Sequence, residues 1–382
     1  MVNEMIKKPR VGLWCRKLTA ILISMMLVTA TAPQTISAVG AYHEINVSES
    51  GLVYHSTVYG SGRITTFDGS IETINPIEKD NQIIARVLSE LAPDQAKVAE
   101  ADDGAKVEYY MLNKHALAKD GVIIFNMGWG GNIQNKTAQQ ELIYLIANLP
   151  KSKQVIVINN INTIPTRKAI TKMASEGSFL AFGVSVDAAM AELLNNYPSN
   201  KIEQWGHSEG GRRAIAQASA YYLRTGEQIE MIKVLDPVGS HEQNIGSLAL
   251  GIIKDRIISE KYDNSKYNLP ITVVQTNSNL NLRGWWYKWI NIPGIMIKNG
   301  MAFDLKEVVA AGAAREVIIV SPELSALTNP RDVDIILNGV EIPNNTRVCH
   351  ISLEDHTHNA VGTGLVTFVE ETLYGKSEKA CR

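Results

Sequence analysis

From Gly121 onward, short apolar runs alternate with stretches of helical periodicity, and that alternation narrows the folds open to the chain. Residues 122–125 (VIIF) and 154–158 (QVIVI) are apolar runs too short to be core helices. Between them, residues 137–149 place Leu142, Leu145 and Ile146 on one helical face. Helical stretches follow at 167–176 and 187–196, and a strand-like segment at 201–205 leads into a glycine-flanked serine. A helix over 212–224 ends at Gly226, and strands are expected at 229–235, 271–274, 317–320 and 348–353, with a closing helix over 361–373. Such a sequence builds βαβ units, which means an α/β fold with a mostly parallel sheet covered on both faces. Ligands of these sheets bind beyond the carboxyl ends of the strands. Upstream, residues 51–67 and 106–112 (KVEYYML) alternate in polarity and suit antiparallel strands.

Composition keeps the chain globular and limits its partners. Of 382 residues, 45% are hydrophobic and 20% charged, which excludes disordered and collagen-like chains. Five basic residues (Lys7, Lys8, Arg10, Arg16, Lys17) precede the uncharged run at 18–32, LTAILISMMLVTATA. A basic stretch before an apolar run of this length reads as a secretory signal peptide over residues 1–40, with the mature start near residues 39–42. The expected location is therefore secreted or periplasmic, or membrane-anchored if the leader stays attached. Cys15 precedes the apolar run and does not fit a lipidated cysteine, which leaves Cys349 and Cys381 as candidates for one disulfide. Without the leader's charge of +4, the overall −2 becomes about −6, with no basic stripe, so no nucleic-acid partner is expected. No linker divides residues 41–382, which read as one domain with insertions near 240–268 and 280–315. Residues 42–105 carry no interpretable motif.

Chemistry concentrates at Gly206-His207-Ser208-Glu209-Gly210, a G-x-S-x-G pattern followed by Gly211. A strand-like segment ends at Trp205 and a helix begins within three residues of the serine. At so sharp a turn the serine occupies strained backbone, and the flanking glycines avoid collisions with neighbouring elements. The turn lifts Oγ beyond the sheet, and the helix amino terminus adds positive potential for a developing oxyanion. This segment resembles the nucleophile elbow of the α/β-hydrolase superfamily, and the likeness extends over roughly residues 106–374.

The resemblance implies an acid and a histidine further along the chain, in that order. Asp236, in Val234-Leu235-Asp236-Pro237, ends the next strand one position over from Ser208, as in pancreatic-type lipases. In most members the acid follows the next strand instead. Here that strand is read as ITVVQ, running into Thr276-Asn277-Ser278-Asn279 without a carboxylate. Glu323 and Asp332 are the other candidate acids. The base falls on Leu353-Glu354-Asp355-His356-Thr357-His358, with His356 preferred and His358 the alternative. His350 lies within a strand and reads as structural. The oxyanion donors implied are the backbone N–H groups of Glu209 and, from the loop Asn126-Met127-Gly128-Trp129-Gly130-Gly131, of Trp129.

Trp285, Trp286 and Trp289, followed by Ile290, Ile292, Ile295, Met296 and Ile297, form either a substrate-binding lid or a helix packed on the core. Residues 245–262 have helical periodicity and suit a cap. The expected activity is that of a secreted esterase or lipase-like serine hydrolase acting on a small-molecule or lipid ester, with transient contact to a lipid surface. No cofactor and no metal are expected, and the oligomeric state is left open. The alternatives are a catalytically inactive binding protein of the same fold and an acyltransferase using the same triad.

Overall fold

The computed structural model describes residues 42–46, 53–57, 62–65, 71–74, 81–129, 131–134, 142, 152–160, 162–262, 291–353 and 357–358. Residues 1–40, where a leader is expected, residues 271–274, Trp285, Trp286, Trp289, His356, Cys381 and the helix expected over 361–373 lie outside them. So does the helix expected at 137–149, apart from Leu142, which is buried. Among the described residues, no helix is long and apolar enough to cross a membrane.

Four short strands near the amino terminus, β1 (Tyr42–Asn46), β2 (Val53–Thr57), β3 (Gly62–Thr65) and β4 (Ile71–Ile74), pair in sequence order as an antiparallel meander. The main sheet has eight strands: β5 (Lys97–Glu100), β6 (Lys106–Leu112), β7 (Val122–Asn126), β8 (Gln154–Ile158), β9 (Ile202–His207), β10 (Ile229–Leu235), β11 (Ala314–Pro322) and β12 (Arg347–Leu353). Their spatial order is β12-β11-β10-β9-β7-β8-β6-β5. Only β6 pairs antiparallel, with β5 and β8; every other ladder is parallel.

Sheet burial explains the unbroken apolar runs. Every residue of β7 and β9 is buried, because both faces are covered. Alternate residues serve opposite sides. Ile123 and Phe125 of β7 pack with Val155, Val157 and Trp205 against Val87 and Leu91, which belong to or adjoin helix α1 (Asn81–Glu90). Val122 and Ile124 face the larger core, filled by helices α2 (Arg167–Glu176), α3 (Leu180–Leu194) and α4 (Glu209–Thr225). Helices α3 and α4 approach closely at Gly183, where a Cβ would lie 2.1 Å from the Ala216 carbonyl oxygen.

Beyond β10 come α5 (Ile245–Tyr262), the short α6 (Ile292–Met296), α7 (Gly300–Ala310) and α8 (Pro330–Asn338). Helix α5 fulfils the helical expectation for 245–262. Ile292, Ile295 and Met296 are fully buried in the larger core, so this part of the apolar segment is packed interior rather than lid. One expectation changes: helix α3 starts at Leu180 rather than 187. The ITVVQ segment lies outside the described residues, and the strand described beside β10 on this side is β11, paired from Ile229 opposite Ala314 to Leu235 opposite Val320. Glu323 therefore follows the strand next to β10, and it is exposed. Cys349, in β12, is disulfide-bonded.

Candidate active site

The register of β7, β9 and β10 brings the chemistry to one edge. Asn126 pairs with Gly206, and Leu235 pairs with His207, so three strand ends share a rim. Ser208 takes the turn from β9 into α4 with φ 58 and ψ −125, a conformation that costs a residue with a side chain on the order of 1–3 kcal/mol. The flanking glycines make the turn sterically possible. A Cβ on Gly206 would sit 2.1 Å from the Gly210 carbonyl oxygen, and one on Gly210 would sit 2.1 Å from that of Asn126. Backbone bonds fix the turn: the Ser208 N–H donates to the Leu235 carbonyl at 2.8 Å, and the Gly211 N–H donates to that of Ser208 at 3.1 Å.

One strand over, Asp236 follows β10 with φ 44, in the left-handed region, and its N–H donates to Val320 at 2.7 Å. Its carboxylate is fully buried, and Oδ2 lies 2.5 Å from Nδ1 of His358. The geometry thus joins Asp236 to His358, the alternative base, while His356 lies outside the described residues. His207, the variable residue just before the serine, has a part that sequence reasoning missed. Its Nε2–H donates to the His358 carbonyl at 3.0 Å, and the two rings lie 4.6 Å apart between centroids. Burial, and secondarily the neighbouring His358, push the His207 imidazole down to about 3, so it is neutral in ordinary buffers.

The loop after β7 approaches the serine from the opposite side. A Cβ on Gly128 would lie 3.2 Å from Cβ of Ser208, and Trp129 is the next residue. The Gly131 N–H donates to the Gly128 carbonyl at 2.9 Å and tightens the loop. A buried chain of polar groups holds it from behind. Glu209 pairs with Arg213 one helical turn on, and Arg213 Nη1–H donates to Asn160 Oδ1 at 3.2 Å. Asn160 Nδ2–H in turn donates to the Met127 carbonyl. The Arg213 guanidinium also stacks over Phe182, 4.4 Å from the ring centre. Neither Asn160 nor Arg213 carries a local sequence signal, because each acts through a partner distant along the chain.

A second Ser-His-Asp contact joins β11, β12 and α8. His350 Nδ1 is 2.7 Å from Asp334 Oδ1, and its Nε2 is 3.2 Å from Ser321 Oγ. Ser321 has no exposed surface, so no substrate reaches its hydroxyl. The structural reading of His350 fits this arrangement.

No protein-family model matches the chain, and no curated protein matches it. Among solved structures it is similar to a carboxylesterase from Bacillus subtilis, at 13% identity and a TM-score of 0.43, over 77% of this chain and 95% of that one. It is also similar to a soluble variant of the monoglyceride lipase of Saccharomyces cerevisiae in complex with a substrate analogue. There the identity is 14% and the TM-score 0.42, over 74% of this chain and 96% of that one. A Pyrococcus furiosus esterase matches at 14% identity and a TM-score of 0.40, over 74% of this chain and 88% of that one. These likenesses are remote. A mostly parallel eight-stranded sheet between helical layers, carrying a serine on a strand-to-helix elbow, is the α/β-hydrolase fold.

Proposed function

We propose that the protein is a serine hydrolase that cleaves carboxylic esters through an acyl-enzyme. The observation that carries this reading is the Asp236–His358 pair at the strand end beside Ser208. An imidazole whose Nδ1–H donates to a buried carboxylate is held in the tautomer whose Nε2 carries the lone pair that accepts a proton. In the proposed cycle, Ser208 Oγ attacks the ester carbonyl and its proton passes to His358 Nε2. The oxyanion is held by the N–H groups of Glu209 and Trp129. When the C–O bond to the alcohol breaks, His358 returns the proton to the leaving oxygen. Water then attacks the acyl-enzyme, losing its proton to His358, which passes it to Ser208 Oγ as the C–Oγ bond breaks and the acid is freed. The basic and apolar leader supports export of the mature chain.

The test is hydrolysis of p-nitrophenyl esters of increasing acyl length. Ser208→Ala should abolish turnover of every ester and leave the thermal melt nearly unchanged. Turnover by this variant at the wild-type rate rules the mechanism out. The profile across acyl lengths separates a small-ester esterase from a lipase.

A further inference from the structure

One buried carboxylate beside this site takes no part in the chemistry above. Asp255 lies on the inward side of α5 and is 4% exposed. Its Oδ1 accepts the backbone N–H of Ala326 at 3.3 Å, and the carboxylate also accepts the backbone N–H of His358. One turn earlier, a Cβ on Gly251 would lie 2.9 Å from the Ala326 carbonyl oxygen, so helix and loop are in close contact. That loop is tied back to the acid turn, where Thr328 Oγ–H donates to the Pro237 carbonyl at 3.0 Å. A single carboxylate therefore joins the helix after the acid, the loop after β11, and His358.

We propose that Asp255 is a positioning residue for His358, fixing its backbone N–H while His207 holds its carbonyl and Asp236 its ring, and tuning the proton affinity of its imidazole. The proposal rests on the reading of His358 as the general base. A neutral acceptor could hold two N–H groups without the desolvation cost of a buried charge. What the carboxylate adds is a field on the imidazole. The titratable groups facing Asp255 are the imidazole of His358 and the carboxylate of Asp236. Burial first, and then Asp236, push the Asp255 carboxyl up to about 6, against the opposing pull of His358 and the two N–H groups. The coupling is reciprocal, so ionised Asp255 favours the imidazolium that forms during attack.

The test compares wild type, Asp255→Asn and Asp255→Ala on p-nitrophenyl butyrate between pH 5 and 9. The asparagine keeps the shape and an acceptor but not the charge. Asp255→Ala should lower kcat about tenfold or more with KM within about twofold, because misplacing a catalytic group affects turnover before binding. Asp255→Asn should recover most of that loss, while the acid limb of kcat/KM moves to lower pH by about half a pH unit or more. Acid limbs that superimpose for wild type and Asp255→Asn overturn the proposal, as does an unchanged kcat in Asp255→Ala. A second readout needs no turnover. In a Ser208→Ala background, the His358 imidazole pKa followed by NMR should fall when Asp255→Asn is added, and an unchanged value overturns the role of Asp255. Absence of ester turnover in the wild type overturns the hydrolase reading by itself.

Discussion

Asp236 and His358, 122 residues apart in sequence, meet in a buried contact of 2.5 Å between Oδ2 and Nδ1. The acid comes from the end of β10 and the histidine from the segment after β12, so the pair forms only when the parallel sheet is complete. Among the described residues Asp236 Oδ1 has no hydrogen-bond partner. The carboxylate therefore orients the ring through one oxygen.

The pair makes the first prediction. Asp236→Asn should lower kcat by roughly 10³- to 10⁴-fold, since an amide cannot fix the productive tautomer or stabilise the imidazolium. Removing the imidazole at 358 should cost far more activity than removing the one at 356. Steady-state kinetics of Asp236→Asn, His356→Ala and His358→Ala on one short ester check both statements, and the reverse ranking of the histidines would move the base to His356.

The elbow and the place of Asp236 at a strand end are legible in the sequence because both are local. The glycines around Ser208 are demanded by contacts within a few residues of the turn and with the adjoining strands, and Asp236 follows an unmistakable apolar strand. The choice between His356 and His358 is not local. The two share a loop, and the contact of His358 with Asp236 and His207 is made between elements far apart in the chain. Helix α3 starts earlier than its pattern suggests because LAFGV is apolar all round although only Phe182 and Gly183 in it are buried, so it lacks an amphipathic stripe.

Glycine substitutions at the elbow should be severe. In Gly210→Ala the new methyl would sit 2.1 Å from the Asn126 carbonyl oxygen and 2.4 Å from that of Met127. The backbone of β7 cannot yield without displacing the loop beside the serine. We expect a loss of about 3 kcal/mol or more, measured by urea unfolding, together with loss of turnover. A variant with wild-type stability would mean that the turn relaxes more easily than its contacts allow.

A buried ion pair behind the elbow should matter for stability rather than chemistry. Arg212 donates to the Gly177 carbonyl at 2.7 Å and to Asp304 Oδ2 at 3.4 Å, with both side chains almost wholly buried. Asp304 also accepts from Ser178 Oγ–H and, at 3.1 Å, from the Phe179 N–H. Asp304→Ala leaves a buried guanidinium without its counter-ion and should cost about 3–5 kcal/mol in chemical denaturation. Turnover per folded molecule should stay near wild type.

Two buried groups act in opposite directions on acid stability. His207 is held near 3, chiefly by burial, so between about pH 3 and 6.5 the folded protein binds fewer protons than the unfolded chain at this site. Its contribution to stability is complete above 6.5 and is lost as pH falls. Asp255 is raised to about 6, again chiefly by burial, so the folded protein holds a proton that the unfolded chain has released between pH 3.8 and 6. Stability from that site falls as pH rises through this window. Asp255→Asn should therefore gain stability relative to wild type between pH 4 and 6, by on the order of 3 kcal/mol at most. Urea midpoints at closely spaced pH values give the comparison, and a difference that is flat with pH would contradict the assignment.

The most direct measurement is covalent capture of the nucleophile. Wild-type protein treated with diethyl p-nitrophenyl phosphate should gain one phosphoryl group on Ser208, located by peptide mass spectrometry. Ser208→Ala should gain none there, and His358→Ala should react far more slowly. Labelling at Ser208 that is unaffected by loss of His358, or a wild-type protein that resists the reagent, would contradict the account.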